Sequence, residues 1–314
     1  MSGFMVRRLT FMLLTLLIVS ALAFLIPYVG QGDPARVVLQ SRLGQGAVDP
    51  ATVHQLSAEL GLDKPMYLQY LDWLRHASTG NLGYSFTSSQ SVAQLVVHAI
   101  GISTALALTA LGMAILVALP VGIWAAQRPG GRADSAITMM TQVLVPIPEY
   151  WFGPFSILVF AVWLGWLPAA GWLGPQYALM PGLVLALRPM AYLINVTRAA
   201  MIDVLGSDHI TAARSRGLSR TRTIVRHGLR NALAPILTMF SLYFVSLVGG
   251  SVIVEVVFGI PGTGQLLYQA VVNSDIPVIQ GTILLVVAFV VGVTTLVDIG
   301  LRWLHPAVAG GAQQ

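Results

Sequence analysis

Cysteine is absent from the 314 residues, which excludes a disulfide framework and any thiolate metal site. Lysine occurs once, as Lys64, so there is no GxxxxGK(S/T) phosphate loop. If a nucleotide drives this protein, another chain must bind it. The six histidines, His54, His76, His98, His209, His227 and His305, are scattered, and none lies in the middle of an apolar run. No HExxH pair exists for a metalloprotease, and no Ser and His are placed together for an intramembrane serine protease. Charge of either sign is scarce, at 9% of residues.

What fills the chain instead is apolar surface: 56% hydrophobic residues and a mean hydropathy of +0.77. Several runs reach the roughly 18–20 residues a helix needs to cross a bilayer. The fold class expected is an all-α polytopic membrane protein with six transmembrane helices. They are expected at about 9–29, 99–126, 136–163, 177–199, 232–257 and 279–304. Arg7 and Arg8 before the first run, with Ala21-Leu22-Ala23 inside it, also allow a cleaved signal peptide. Because the run continues to Val29, an uncleaved first helix is the preferred reading.

The sequence pI near 9.8 suggests nucleic acid, but the arginines stand at the ends of spans, where topology alone calls for them. With the N-terminus inside, twelve basic residues face the cytoplasm: Arg7, Arg8, Arg128, Arg132, Arg198, Arg214, Arg216, Arg220, Arg222, Arg226, Arg230 and Arg302. Four, Arg36, Arg42, Lys64 and Arg75, lie outside in a long loop, which the charge rule discounts. Both termini are therefore expected inside.

That outside loop, about 30–98, is the one sizeable extramembrane piece. Asp49 can cap a helix begun by Pro50 and ended by Gly61. A second short helix is expected from Pro65, with Tyr67, Tyr70, Leu71 and Leu74 on one face. The loop reads as a packed cap, too small to enclose a ligand alone.

Six of the arginines crowd into ITAARSRGLSRTRTIVRHGLRNALAPI, residues 210–236. Ala212 and Ala213 favour a helix, Gly217 breaks it, and Ser219 can cap a second one. In that second helix Arg222, Arg226 and Arg230 recur at i, i+4 and i+8, a like-charge spacing that repels. Such a segment suits an anionic or carbonyl-rich neighbour better than its own stability.

The run Thr211-Ala212-Ala213-Arg214-Ser215-Arg216-Gly217, followed by Asn231-Ala232 and Pro235, resembles the EAA loop of bacterial ABC importer permeases. More of the chain resembles the dipeptide, oligopeptide and nickel branch of that family. The matching elements are Gly32-Asp33-Pro34, then Leu60-Gly61-Leu62-Asp63-Lys64-Pro65 with Gln69-Tyr70 and Trp73. Gly80-Asn81-Leu82-Gly83-Tyr84-Ser85-Phe86, Pro261-Gly262-Thr263-Gly264, Asp275 with Pro277, and Leu296-Val297-Asp298 follow in order. Thr211 stands where many permeases carry the motif's Glu, Asn81 replaces a usual Asp, and His305-Pro306 replaces a usual Asp-Pro-Arg ending.

The resemblance implies the type I ABC importer permease fold, divided into three parts. Residues 1–98 are the first helix and extracytoplasmic loop, 99–304 the permease core with a coupling loop at 203–231, and 305–314 a cytoplasmic tail. It implies that Thr211 to Gly217 dock an ATPase, that the cargo is a di- or oligopeptide, and that the membrane is the bacterial inner membrane. The implied partners are a second, similar permease, two cytoplasmic ATPase subunits and an extracytoplasmic substrate-binding protein. No cofactor or metal is expected on this chain; ATP and Mg²⁺ belong to the ATPase subunits. Nickel or another small solute is the alternative cargo.

Ionisable residues inside a membrane are costly and default to function. Glu149, Arg188, Glu255 and Asp298 fall in or near expected spans. Glu149 and Arg188 either neutralise each other across spans three and four or serve substrate passage. Glu255 can instead lie in headgroup water at the end of span five, and Asp298 can pair with Arg302 at i+4. These charges also motivate a rival from another class, a stand-alone proton-coupled transporter. Pro146, Pro148 and Pro154 around Glu149 disfavour a continuous third helix, and Gly249-Gly250 permits a bend or close approach in span five.

Overall fold

The computed structural model describes residues 2–29, 52, 53, 57 and 63–304, with backbone alone for 2–5, 29, 209, 213–214, 220–221, 225–227, 230–231 and 301–304. The Gly32-Asp33-Pro34 element, all of the helix expected from Asp49 to Gly61 except residues 52, 53 and 57, Leu60-Gly61-Leu62, and the 305–314 tail with His305-Pro306 lie outside the described residues.

The long helices are α1 (Ser2–Val29), α3 (Val92–Ala126), α6 (Gln176–Leu205), α8 (Arg230–Gly250) and α11 (Ile276–Leu304). Between them come α2 (Met66–Ser78), α4 (Arg132–Leu144), α5 (Glu149–Ser156), α7 (Asp208–Ser215), α9 (Val252–Val257) and α10 (Thr263–Val272). Five of these are long and apolar enough to span a membrane. The sixth candidate is the pair α4 and α5, the latter extended by π-helical turns over Ile157–Trp163, bent by 96° at the break between them. The prolines Pro146 and Pro148 occupy that break, as their missing N–H groups require. Span five ends at Gly250 rather than at 257, because Ser251 leaves helical geometry (φ −80°, ψ 17°) before α9 begins.

The chain divides into two compact units. The first, residues 1–103 and 261–293, is held by an apolar cluster of Leu82, Val92, Val96, Ala270, Val278 and Ile279. There α11 passes so close to α3 that a Cβ on Gly281 would come within 2.4 Å of Val92 Cγ1. Gly281→Ala is expected to cost about 1–3 kcal/mol through overpacking, read as a lowered unfolding temperature in detergent. Val92→Ala in the same chain should recover part of that loss; additive losses would show that the contact is not what limits this site.

Helix α2 docks on α1 through Tyr70 and Trp73, whose rings pack around Phe24 at centroid distances of 5.5 and 6.1 Å. Tyr70 Oη and Ser20 Oγ share a hydrogen bond of 2.8 Å, and Tyr28 donates its hydroxyl to Gln69 Oε1. The inner face of α2 is thus Gln69, Tyr70, Trp73, Leu74 and Ala77. Tyr67 and Leu71, expected on that face, are exposed. The sequence contains two overlapping apolar stripes, and the half-buried one is that which also carries hydrogen-bonding groups for α1.

The second unit, residues 104–260 and 294–314, is organised around α6, the most enclosed long helix. Thirteen of its residues are buried, from Ala178 to Met201. Small residues let neighbours approach: a Cβ on Gly122 of α3 would lie 2.7 Å from Thr197 Cβ and 2.8 Å from the Ile194 carbonyl oxygen. Gly182 of α6 meets Thr109 in the same manner, at 3.1 Å. Close helix approach through small residues is the packing route open where apolar burial gives no advantage over lipid.

Candidate functional site

Helix α6 ends at Gly206, whose N–H bonds the Ile202 carbonyl at 3.0 Å. The chain then turns through Ser207, whose carbonyl accepts from the N–H groups of Ile210 (3.1 Å) and Thr211 (3.2 Å), starting α7. Asp208 in its first turn complements the positive end of the helix. Ile210 is fully buried and anchors the inner side, whereas Thr211, Ala212, Ser215, Arg216 and Gly217 are exposed. Thr211 Oγ1 and Ser215 Oγ turn back onto carbonyls of Ser207 and Thr211. Arg216 Nε donates to the Ala212 carbonyl at 3.2 Å, satisfying an end that the helix leaves open. Gly217 closes it with φ +84°, a left-handed conformation that glycine adopts without a Cβ penalty. Ala213 and Arg214 lie within α7 by their backbone. The result is a two-turn helix presented outward on one buried isoleucine.

The helix expected to carry Arg222, Arg226 and Arg230 at regular spacing is interrupted. A single turn at Arg220–Thr223 leads into π-helix at Ile224–Leu229 before α8. The wider i→i+5 turn shifts the phase, so these positions do not form one straight stripe. It occurs where buried Gly228 lies against α6, with space for a Cβ only 3.0 Å from Met201 Cε.

Intramembrane charges separate into distinct environments. Glu149 opens α5, where a carboxylate complements the helix N-terminus. It feels the charge of Arg188, but no contact within 4.0 Å joins the two among the described residues. The mutual neutralisation considered from the sequence is therefore not a closed ion pair. Arg188 is exposed on the open face of α6, with Tyr192 one turn on. The Tyr192 ring lies 5.8 Å from that of Tyr243 on α8. Glu255 is on α9, beyond the end of span five, and is 0% exposed; Ser251 Oγ donates to its Oε1 at 2.6 Å. It is enclosed by protein and not in headgroup water. The Arg302 side chain expected to pair with Asp298 lies outside the described side chains.

Two constellations were not legible in the sequence. Arg198, counted there only as a topology signal, forms a two-pronged ion pair with Asp134. Its Nε donates to Oδ1 and its Nη2 to Oδ2, the latter at 2.7 Å. Asp134 also accepts the Gly130 N–H at 2.8 Å and is buried. One turn up α6, Asn195 Nδ2 donates to Thr141 Oγ1 at 3.1 Å, so α4 is fastened to α6 at two levels. The only hint in the sequence was an acidic residue beginning an apolar run.

The other is Asp275, 1% exposed. Its carboxylate accepts from Ser85 Oγ (2.6 Å), Thr87 Oγ1 (2.9 Å) and the backbone N–H groups of Phe86 (3.2 Å) and Thr87 (3.3 Å). Two motif elements some 190 residues apart in the chain are thereby joined. Thr263 of the Pro261-Gly262-Thr263-Gly264 run is likewise tied to α3, its N–H donating to Ser103 Oγ at 2.8 Å. Asn81 Oδ1 accepts the Gly83 N–H at 3.1 Å, a turn that an aspartate would make equally well.

Comparison with known proteins bears on the whole chain. Residues 118–310 match the family described as binding-protein-dependent transport system inner membrane component. Residues 1–107 match the N-terminal part described for the same transport-system membrane component. The glutathione transport system permease protein GsiC of Shigella flexneri is 34% identical, over 98% of this chain and 99% of that one. The oligopeptide transport system permease protein AppB of Bacillus subtilis is also 34% identical, over 93% and 95%. Among solved structures, the MetNI methionine ABC transporter in inward-facing conformations contains a chain that superposes with a TM-score of 0.57. That match covers 67% of this chain and 96% of that one at 19% identity. At that identity the likeness is one of fold: the all-α importer permease fold expected from the sequence.

Proposed function

This chain belongs to the family of binding-protein-dependent transport system inner membrane components, and from that premise we propose that it carries peptides inward across a bacterial cytoplasmic membrane. It is a multi-pass membrane protein and a transport subunit. In this reading a second, similar permease completes the pathway, and an extracytoplasmic binding protein delivers the cargo. Two cytoplasmic ATPase subunits hydrolyse ATP with Mg²⁺. Both termini and α7 face the cytoplasm, following the arginine distribution.

The observation that supports ATPase coupling is the exposed helix Asp208–Ser215, closed by Gly217 and continuous with α6 through a short turn. Movement forced on α7 by a partner is passed directly to the central helix of its unit. Peptide cargo is supported by near full-length kinship to relatives whose names specify glutathione and oligopeptides.

Because the chain has no cysteine, Ala212→Cys and Ser215→Cys on the exposed side of α7 test the coupling directly. With the neighbouring ATPase subunits co-expressed, a short thiol-to-amine cross-linker is expected to join each variant to an ATPase subunit, with a yield that changes on adding ATP. A fully assembled complex that never cross-links from either position would return these arginines to topology and favour the stand-alone transporter.

A further inference from the structure

Helix α6 is buried on nearly every side, yet Arg188 stands on its one open face near mid-span. Counting 1.5 Å per residue, it lies about 18 Å from the Gln176 end and about 25 Å from the Leu205 end. An arginine at that depth does not tolerate lipid; it faces water, protein or a polar cargo. Its surroundings are polar for a membrane span. Tyr192 is exposed one turn on, and Tyr243 of α8 packs against it. On the outward stripe of α8 beyond Tyr243, Pro235, Thr238, Ser246 and Gly249 are small or weakly polar, and Leu242 is the one large apolar side chain among them.

We propose that Arg188, flanked by the Tyr192 and Tyr243 hydroxyls, receives the carboxylate end of a passing peptide. This rests on the peptide reading above. The match is one of charge and shape: a guanidinium takes a carboxylate by two parallel hydrogen bonds, and every peptide with a free C-terminus carries one whatever its side chains. Glu149 has the complementary part. It is near enough to feel Arg188 but makes no contact with it, so it tempers the attraction without occupying the site. A pathway needs that balance, since a hold strong enough to admit cargo must be weak enough to release it.

The test uses the whole complex, permeases, ATPases and binding protein, in proteoliposomes. Uptake of trialanine is compared with that of its C-terminal amide, and the affinity of the binding protein for each is measured separately. Arg188→Gln is expected to lower uptake of the free acid about ten- to a hundredfold and to shift the acid-to-amide ratio toward the amide. Arg188→Lys should restore part of the acid uptake. Glu149→Gln should lower KM and kcat for the acid together, because the cargo is then held longer. Equal losses for acid and amide in Arg188→Gln, or no loss for either, would overturn the inference and assign Arg188 to a contact with the second permease. A wild-type complex that moves neither peptide would instead sink the peptide reading, and this inference with it.

Discussion

Replacing Asp275 by alanine is expected to unfasten the segment Ser85–Thr87 from the start of α11 and to lower stability by on the order of 3 kcal/mol. Four donors converge on this one carboxylate. A hydrogen bond to a charged group contributes about 1.5–3 kcal/mol, and donors left buried cost about 1–3 kcal/mol each. The contributions do not add, since Phe86 is only partly buried and Thr87 is exposed, so both can turn to water. Ser85, at 4% exposed, cannot. Two readouts separate the possible outcomes: the unfolding temperature in detergent, and the rate at which a protease cuts between residues 84 and 91. Both should change strongly in Asp275→Ala. Asp275→Asn, which keeps one carbonyl acceptor but sets an NH₂ against donors, should fall between the variant and the natural protein. If Asp275→Ala unfolds at the natural temperature and its loop stays uncut, the carboxylate is not the fastener.

Asp134→Ala is expected to be comparably damaging, by about 3–5 kcal/mol, because it strands the Arg198 guanidinium against a site built for its partner. The loss falls on the attachment of α4 to α6, which would then keep its packing and the Asn195–Thr141 hydrogen bond. It should appear as a lower unfolding temperature and as poor recovery of the purified chain. The informative control is Asp134→Ala combined with Arg198→Leu. Removing both charges leaves no uncompensated ion, so the double variant should be more stable than Asp134→Ala alone. A double variant as unstable as the sum of its parts would mean that Asp134 acts through Gly130 and not through Arg198. Since α6 continues to α7, the exposed helix proposed above to meet the ATPase, that proposal predicts that Asp134→Ala also reduces peptide uptake relative to ATP hydrolysis.

The number and rough placement of the spans were legible because a bilayer imposes a length on any apolar run: five long helices and one bent pair overlap the six expected segments, although the second begins seven residues earlier and the fifth ends seven residues sooner than expected. The break in the third was legible too, since Pro146 and Pro148 lack the N–H a helix needs. So was the helix–turn at Asp208–Gly217, whose alanines and glycine act locally. The register of α2 was not. Tyr67 and Tyr70 are alike in composition, and only the position of Ser20 and Phe24 on α1 selects Tyr70. The π-helical turn at Ile224–Leu229 was equally hidden, because it accompanies the approach of Gly228 to Met201.

The same division runs through the charges. From the sequence alone, a few ionisable residues could be assigned to an apolar environment and hence to consequence, and the resemblance of Thr211 to Gly217 could indicate a docking element. Which charge meets which is a matter of three-dimensional neighbours. Asp134 and Arg198 are 64 residues apart, and Asp275 and Ser85 are 190 apart. Glu149 and Arg188, the pair that position along the chain suggested, remain out of contact. Local chemistry determined where this chain enters and leaves the membrane and where it turns. Helix packing decided which buried charges are satisfied within the chain, and so left Arg188 facing outward.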